Sequence, residues 1–160
     1  MSNEKQRGYC CIGLDNPKTA VNIGGVLRAA GCYGASAVFV SGTRYKNNRA
    51  DTQKAWRHLP FFEIENFSKD CFPKDCIGVA VDLVEGARPL PNYIHPERAI
   101  YFFGAEDRTL GEDVLKLCRD KVYIPMSYCM NLAACVNVVL YDRLAKNSKN
   151  KIKLYSKNNV

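Results

Sequence analysis

Short runs of β-branched and aromatic residues alternate with helical stretches along the chain. This pattern predicts a parallel sheet covered by helices on both faces, an α/β fold. The predicted strands are 8–14 (GYCCIGL), 37–41 (AVFVS), 61–65 (FFEIE), 77–83 (IGVAVDL), 99–104 (AIYFFG) and 121–125 (KVYIP). Several are apolar at consecutive positions, as strands buried on both faces are. Helices are expected over 20–34, over a short piece near 52–58, over 111–118, and over a long final stretch from about Cys129 to Lys146. Gly34 suits a left-handed residue closing the first helix, and Pro60 closes the second. No repeat or shift in composition divides the chain, so a single domain is expected over 1–160, with a basic tail from about 145 to 160. The polar loop 42–54 (GTRYKNNRADTQK) is the main irregular stretch, and loops of that length usually carry function.

With 160 residues, 47% of them hydrophobic and 11% aromatic, the chain can fill one core. No apolar run reaches the ~18 residues that read as a membrane-spanning helix. The N-terminus MSNEKQRGYC lacks the apolar core of a signal peptide, so a cytoplasmic protein with no membrane partner is expected. Eight cysteines (Cys10, Cys11, Cys32, Cys71, Cys76, Cys118, Cys129, Cys135) sit mostly inside apolar runs and read as core. No CxxC pair occurs, and His58 and His95 stand far in sequence from any cysteine pair, so no metal site and no disulfide framework is expected. The net charge of +7 suggests a polyanionic partner. After Asp142 the chain carries Arg143, Lys146, Lys149, Lys151, Lys153 and Lys157 with no acidic residue, which fits either a solvated tail or a phosphate-contacting arm.

Three segments carry candidate chemistry. The stretch 16–35 (NPKTAVNIGGVLRAAGCYGA) places Asn22, two glycines and Arg28 on the opening turns of a helix, which an ordinary amphipathic helix would not do. The others are 104–115 (GAEDRTLGEDVL) and 124–144 (IPMSYCMNLAACVNVVLYDRL). Ligands of open α/β sheets bind at the carboxyl ends of strands, so the loops at 104–110 and 126–131 should border one pocket. Gly104 allows a close backbone approach or simply makes a turn. Glu106, beside Asp107 and Arg108, belongs to a site or to a surface ion pair. Asn131 caps the last helix or binds something at its start. No Ser-His-Asp set, no GxxxxGK[ST] and no GxGxxG is present, leaving acyl transfer, nucleotide hydrolysis and dinucleotide redox chemistry without a motif.

Taken together and in order, these segments resemble the SPOUT superfamily of knotted methyltransferases. The likeness is to its SpoU branch of S-adenosylmethionine-dependent RNA ribose 2′-O-methyltransferases. The first family motif, an asparagine and an arginine separated by five residues, is matched by Asn22 and Arg28 in NIGGVLR. The second, Gly-x-Glu after an apolar strand, is matched by Gly104 and Glu106 in YFFGAED. The third, Ile-Pro-Met and then a Ser-Leu-Asn-like triplet before a long apolar helix, is matched by Ile124-Pro125-Met126 and Cys129-Met130-Asn131. The likeness spans roughly residues 8 to 144. Two positions depart from it: the serine of the triplet is Cys129, and the later glycine of the second motif is Thr109, with Gly111 following.

The resemblance implies a C-terminal deep trefoil knot, with the donor S-adenosylmethionine bound at Leu83, Gly104, Ile124, Met126, Cys129 and Met130. It implies Arg28, Asn22, Glu106 and Asn131 as catalytic residues. A guanidinium makes an awkward base, so Arg28 suits binding the adjacent phosphate and stabilising the 2′-oxygen, with the proton acceptor open. RNA, with tRNA the leading class and rRNA the alternative, would be held by Arg28, Arg44, Lys46, Arg49, Lys54 and Arg57. Tyr45 and Trp56 would be available to stack on an unpaired base. A homodimer through the first and last helices is implied, letting one subunit's Arg28 face the other's donor pocket. Two rival readings remain, a non-catalytic RNA-binding protein on this scaffold and a Rossmann-like small-molecule enzyme. Since residues six apart on a helix differ by ~240°, Asn22 is expected at the first turn and Arg28 on the helix body.

Overall fold

Every strand predicted from the sequence forms, and all pair in parallel. The computed structural model describes residues 8–47, 57 and 59–147. In chain order the elements are β1 (Tyr9–Leu14), α1 (Ala20–Cys32), β2 (Ala37–Ser41), β3 (Phe61–Ile64), β4 (Ile77–Val81), β5 (Arg88–Pro89), β6 (Arg98–Phe103), α2 (Glu112–Leu117), β7 (Asp120–Tyr123) and α3 (Leu132–Asn147). The seven-stranded sheet runs β3-β2-β1-β6-β4-β7-β5. The chain winds outward from β1 in one direction through β2 and β3, and fills the other side with β6, β4, β7 and β5. The switch in direction between β1 and β6 opens a crevice at the carboxyl ends of those strands.

Alternation of side chains explains why these strands read as continuous apolar runs. On β6, Ala99, Tyr101 and Phe103 enter the core beneath α1 and α3, while Ile100 and Phe102 enter the second core beneath α2. α1 lies against α3, and the two approach closely at Gly25, where an added Cβ would stand 2.7 Å from Ala133 Cβ. Gly34 follows α1 with φ +71°, the left-handed residue expected at its end.

The departures from expectation are local. The two-residue edge strand β5 is too short to leave a periodic trace. α3 begins at Leu132 rather than near Cys129, because the Asn131 Oδ1 accepts the Ala133 amide at 2.9 Å and caps the helix there. β4 stops at Val81, two residues short of the predicted end, where Asp82 Oδ1 accepts the amide of Leu83 at 2.7 Å. The helix expected near 52–58, apart from Arg57, lies outside the described residues, as does the basic tail beyond Asn147.

The C-terminal half of α3 is fixed to the sheet by a buried polar network. Arg143 donates to the carbonyls of Pro96 (2.6 Å) and Glu97 (2.8 Å) and to the Tyr101 hydroxyl (3.0 Å). His95, whose side chain is fully buried, lies 2.6 Å from the Tyr101 hydroxyl and 2.8 Å from Asp142. The carboxylate can only accept, so the imidazole is the Nε2–H tautomer and Nδ1 accepts from Tyr101. Burial holds the His95 pKa below its ordinary 6.5; Asp142 opposes that shift, whereas Lys146 and Arg143 reinforce it. A histidine depressed in this way keeps its stabilising effect above pH about 6.5, and loses it as pH falls and the unfolded chain takes up the proton first. The melting temperature is therefore expected to be flat above that pH and to decline below it, and His95→Gln should flatten the decline. An unchanged acid slope in the variant would place the sensitive group elsewhere.

Candidate active site

The site is assembled from the polar ends of three apolar elements. Thr19 caps α1, its hydroxyl accepting the Asn22 amide at 3.3 Å, so Asn22 sits in the first helical turn as expected. Its side chain is bound on both sides. Asn131 Nδ2 donates to Asn22 Oδ1 at 2.7 Å, and Asn22 Nδ2 donates in turn to Glu106 Oε1. The Lys18 amide donates to the other Glu106 oxygen at 2.9 Å. With Asn131 Oδ1 on the Ala133 amide, a continuous chain of hydrogen bonds runs from the start of α3 through the start of α1 to the loop after β6. Three residues far apart in sequence are thereby brought together and their amides oriented. Burial pushes the Glu106 pKa upward, but the hydrogen bonds from the Asn22 side chain and from backbone amides outweigh it, and the net shift is downward. Glu106 is thus an ionised anchor.

Beside this chain lies a cleft of about 600 Å³. Its walls come from the loops after β4, β6 and β7, and Leu83, Gly104, Ile124, Met126, Cys129 and Met130 all line it. Asp82, which the sequence reading did not single out, ties two of these loops together, accepting the Leu110 amide at 2.7 Å with one oxygen and that of Leu83 with the other. Its only sequence signal was an acid at the end of an apolar strand. Gly104 is needed for that closure, since a Cβ there would lie 2.9 Å from the Arg108 carbonyl oxygen and 3.1 Å from the Leu110 amide nitrogen. The close approach is thus made by the loop's own backbone. Thr109 holds its place without positive φ, so the missing family glycine leaves no strain there.

The candidate RNA ligands among the described residues lie outside the cleft or in ion pairs, with Arg28 on the helix body as expected. Arg28 is exposed on the body of α1 and does not line the cleft. It shares a face with the exposed Val21 and with Gly24, where an added Cβ would meet nothing within 4 Å beyond its own helix. Arg44 forms a two-pronged pair with Asp107 (3.2 and 2.8 Å), which holds the Asp107 pKa below the ordinary carboxylate value. Lys46 pairs with Glu63 at 3.4 Å. Tyr45, expected to offer a stacking face, is instead buried, with its hydroxyl donating to Glu63; burial followed by that bond raises its pKa. Arg57 is exposed, whereas Arg49, Lys54 and Trp56 lie outside the described residues.

The family model described as the SpoU rRNA methylase family matches residues 9–141. The chain belongs to the SpoU methylase family. No curated protein matches it in sequence. Several solved structures share its fold at low identity. The A. aeolicus TrmH/SpoU tRNA modifying enzyme superposes with a TM-score of 0.75 at 18% identity, over 89% of this chain and 77% of that one. The SpoU methyltransferase AviRb from Streptomyces viridochromogenes, solved with AdoMet, gives 0.74 at 19%, over 94% of this chain but only 64% of its own. A protein solved for insight into the 2-OH methylation of C/U34 on tRNA gives 0.72 at 22%, over 87% of this chain and 91% of its own. The family's parallel α/β architecture is therefore present. Among the described residues no helix is long and apolar enough to cross a membrane, and no His, Cys, Asp and Glu cluster has the makings of a metal site.

Proposed function

We propose that the protein is a cytoplasmic RNA ribose 2′-O-methyltransferase acting on tRNA, with S-adenosylmethionine as donor and a homodimer as the active form. The observation that carries this reading is the hydrogen-bonded chain Asn131–Asn22–Glu106 at the edge of a cleft lined by all six expected donor residues. The cleft suits the donor: thioether and aliphatic side chains (Met126, Met130, Leu83, Ile124) offer an apolar bed for a purine, and three loop backbones offer polar groups beside it. A C-terminal knot, as in the family, would hold these loops together. The protein solved for tRNA methylation is nearly equal in length to this chain, which covers 91% of it, and that likeness in size favours tRNA over rRNA.

The donor, when bound, supplies an electrophilic methyl on a positively charged sulfur. The ribose 2′-oxygen forms the new bond to carbon and the sulfur–carbon bond breaks. This chain's task is to present that oxygen. Asn22 and Asn131, fixed by each other and by Glu106, orient the ribose. Glu106 already accepts from Asn22 and from the Lys18 amide and is held below the usual carboxylate range, so it serves as an anchor rather than as the base. Arg28 stabilises the charge developing on the 2′-oxygen, and the proton passes to the adjoining phosphate or to water. Because Arg28 is absent from the walls of its own chain's cleft, it acts on the donor site of the partner subunit. The exposed Val21, Tyr141 and Leu144 on α1 and α3 support pairing through those helices.

The test is incubation of the purified protein with methyl-labelled S-adenosylmethionine and either unfractionated tRNA or rRNA, followed by mapping of 2′-O-methyl marks. Label is expected in tRNA at one ribose. Label in rRNA alone would move the substrate class, and RNA binding with neither label nor donor affinity would favour the non-catalytic alternative.

A further inference from the structure

Four large apolar side chains stand exposed around the mouth of the cleft: Leu83, Met126, Tyr128 and Met130. Clustered exposure of this kind marks a binding surface. Three of them are aliphatic or thioether groups, which the donor's purine would cover. Tyr128 is different. It is 88% exposed, and it makes no hydrogen bond, ion pair or ring contact with the described residues. It lies in the stretch 125–131, exposed throughout, three positions before the Asn131 that orients the proposed ribose site. Arg108 lines the same cleft and offers a cation for a phosphate. Tyr45, by contrast, has its ring buried and cannot offer a face.

We infer that Tyr128 is the platform on which the base of the target nucleotide stacks, and that the substrate RNA presents this nucleotide unpaired. This rests on the methyl-transfer reading above and narrows its substrate class. An aromatic ring grips any base through its π-face, so the contact selects for structure rather than sequence. A base inside an A-form helix has both faces covered by its neighbours. Only a nucleotide in a loop, bulge or end can splay out to meet the ring while its ribose reaches Asn22 and Asn131.

The experiment compares Tyr128→Ala and Tyr128→Phe with the parent, using unfractionated tRNA and S-adenosylmethionine. Tyr128→Ala is expected to raise KM for tRNA roughly tenfold, the scale of one lost stacking contact, with calorimetric donor affinity and dimer mass unchanged. Tyr128→Phe, which keeps the ring, should behave as the parent. A mixed-sequence single-stranded RNA should also compete with tRNA better than its own duplex does, and that preference should vanish in Tyr128→Ala. A parental KM in Tyr128→Ala overturns the inference. So does a loss of donor affinity, which would make the ring a cover for the donor, or a loss of the dimer, which would make it a subunit contact. A parent protein that methylates no RNA would sink the underlying reading, whereas an active parent with an indifferent Tyr128 would sink this inference alone.

Discussion

Arg28→Ala is expected to leave the melting temperature within a few degrees, the proposed dimer intact and donor affinity unchanged, while methyl transfer falls by roughly a hundredfold or more. Each half of that expectation has its own ground. Arg28 is exposed on the body of α1, and alanine is the best helix former, so truncation removes no core contact and costs the helix nothing in propensity. The proposed donor cleft is built from loops to which Arg28 does not contribute, so binding there should survive. On the proposed role, what is lost is a positive charge facing an oxygen that becomes negative only as the reaction proceeds, and such groups appear in kcat rather than in donor binding. Steady-state kinetics with tRNA, alongside calorimetry with the donor, separate the two. A folded Arg28→Ala dimer that methylates at near the parent rate would remove Arg28 from catalysis. A monomeric variant would make it an interface residue instead.

The two glycines before Arg28 illustrate what the sequence could and could not say. The two glycines of NIGGVLR would leave room for a ribose-phosphate or a partner subunit, or would merely allow close helix packing. Gly25 turns out to face Ala133 of α3, a packing contact, whereas Gly24 faces open space on the same side as Arg28. The strands and the long helices were legible because burial on two faces, or on one stripe, leaves a period in the sequence. The residues that line the cleft and form its hydrogen-bonded chain were singled out because three ordered motifs resembled those of a family. The pairing partners were not. Nothing in the composition of 42-GTRYKNN-48 told that Arg44 would close on Asp107, Lys46 on Glu63, or that Tyr45 would turn inward. Such pairs join the segment after β2 to a strand or loop whose position relative to it is set only by the finished sheet. Asp82 was missed for the same reason, since its role is to join the loops after β4 and β6, which are neighbours only in space. Tyr128 was passed over because an aromatic residue in IPMSYCMN reads equally well as core, and only its exposure distinguishes it.

Gly104→Val is expected to abolish donor binding while the sheet stays folded. At the carboxyl end of β6 the chain leaves the strand and curls back, so that the backbone of residues 108–110 lies directly over Gly104. An added Cβ would meet the Arg108 carbonyl oxygen at 2.9 Å, the Leu110 amide nitrogen at 3.1 Å and the Thr109 carbonyl carbon at 3.2 Å. These are backbone atoms, which cannot rotate aside as a flexible side chain would, so the loop itself must lift. Lifting it breaks the 2.7 Å bond from the Leu110 amide to Asp82, and with it the tie between two of the three loops that form the cleft. Glu106 belongs to the same loop, so its bond to Asn22, part of the chain proposed to orient the ribose, should be disturbed as well. Alanine already carries the offending Cβ, and Gly104→Ala should therefore weaken binding in the same direction, with valine completing the loss through its two further methyls. The buried strand below is untouched, because Tyr101, Phe102 and Phe103 pack into the two cores from positions before the turn. Calorimetry with S-adenosylmethionine, read beside far-ultraviolet circular dichroism, checks both parts. A folded Gly104→Val protein that binds the donor with parental affinity would show that this cleft is not the donor site.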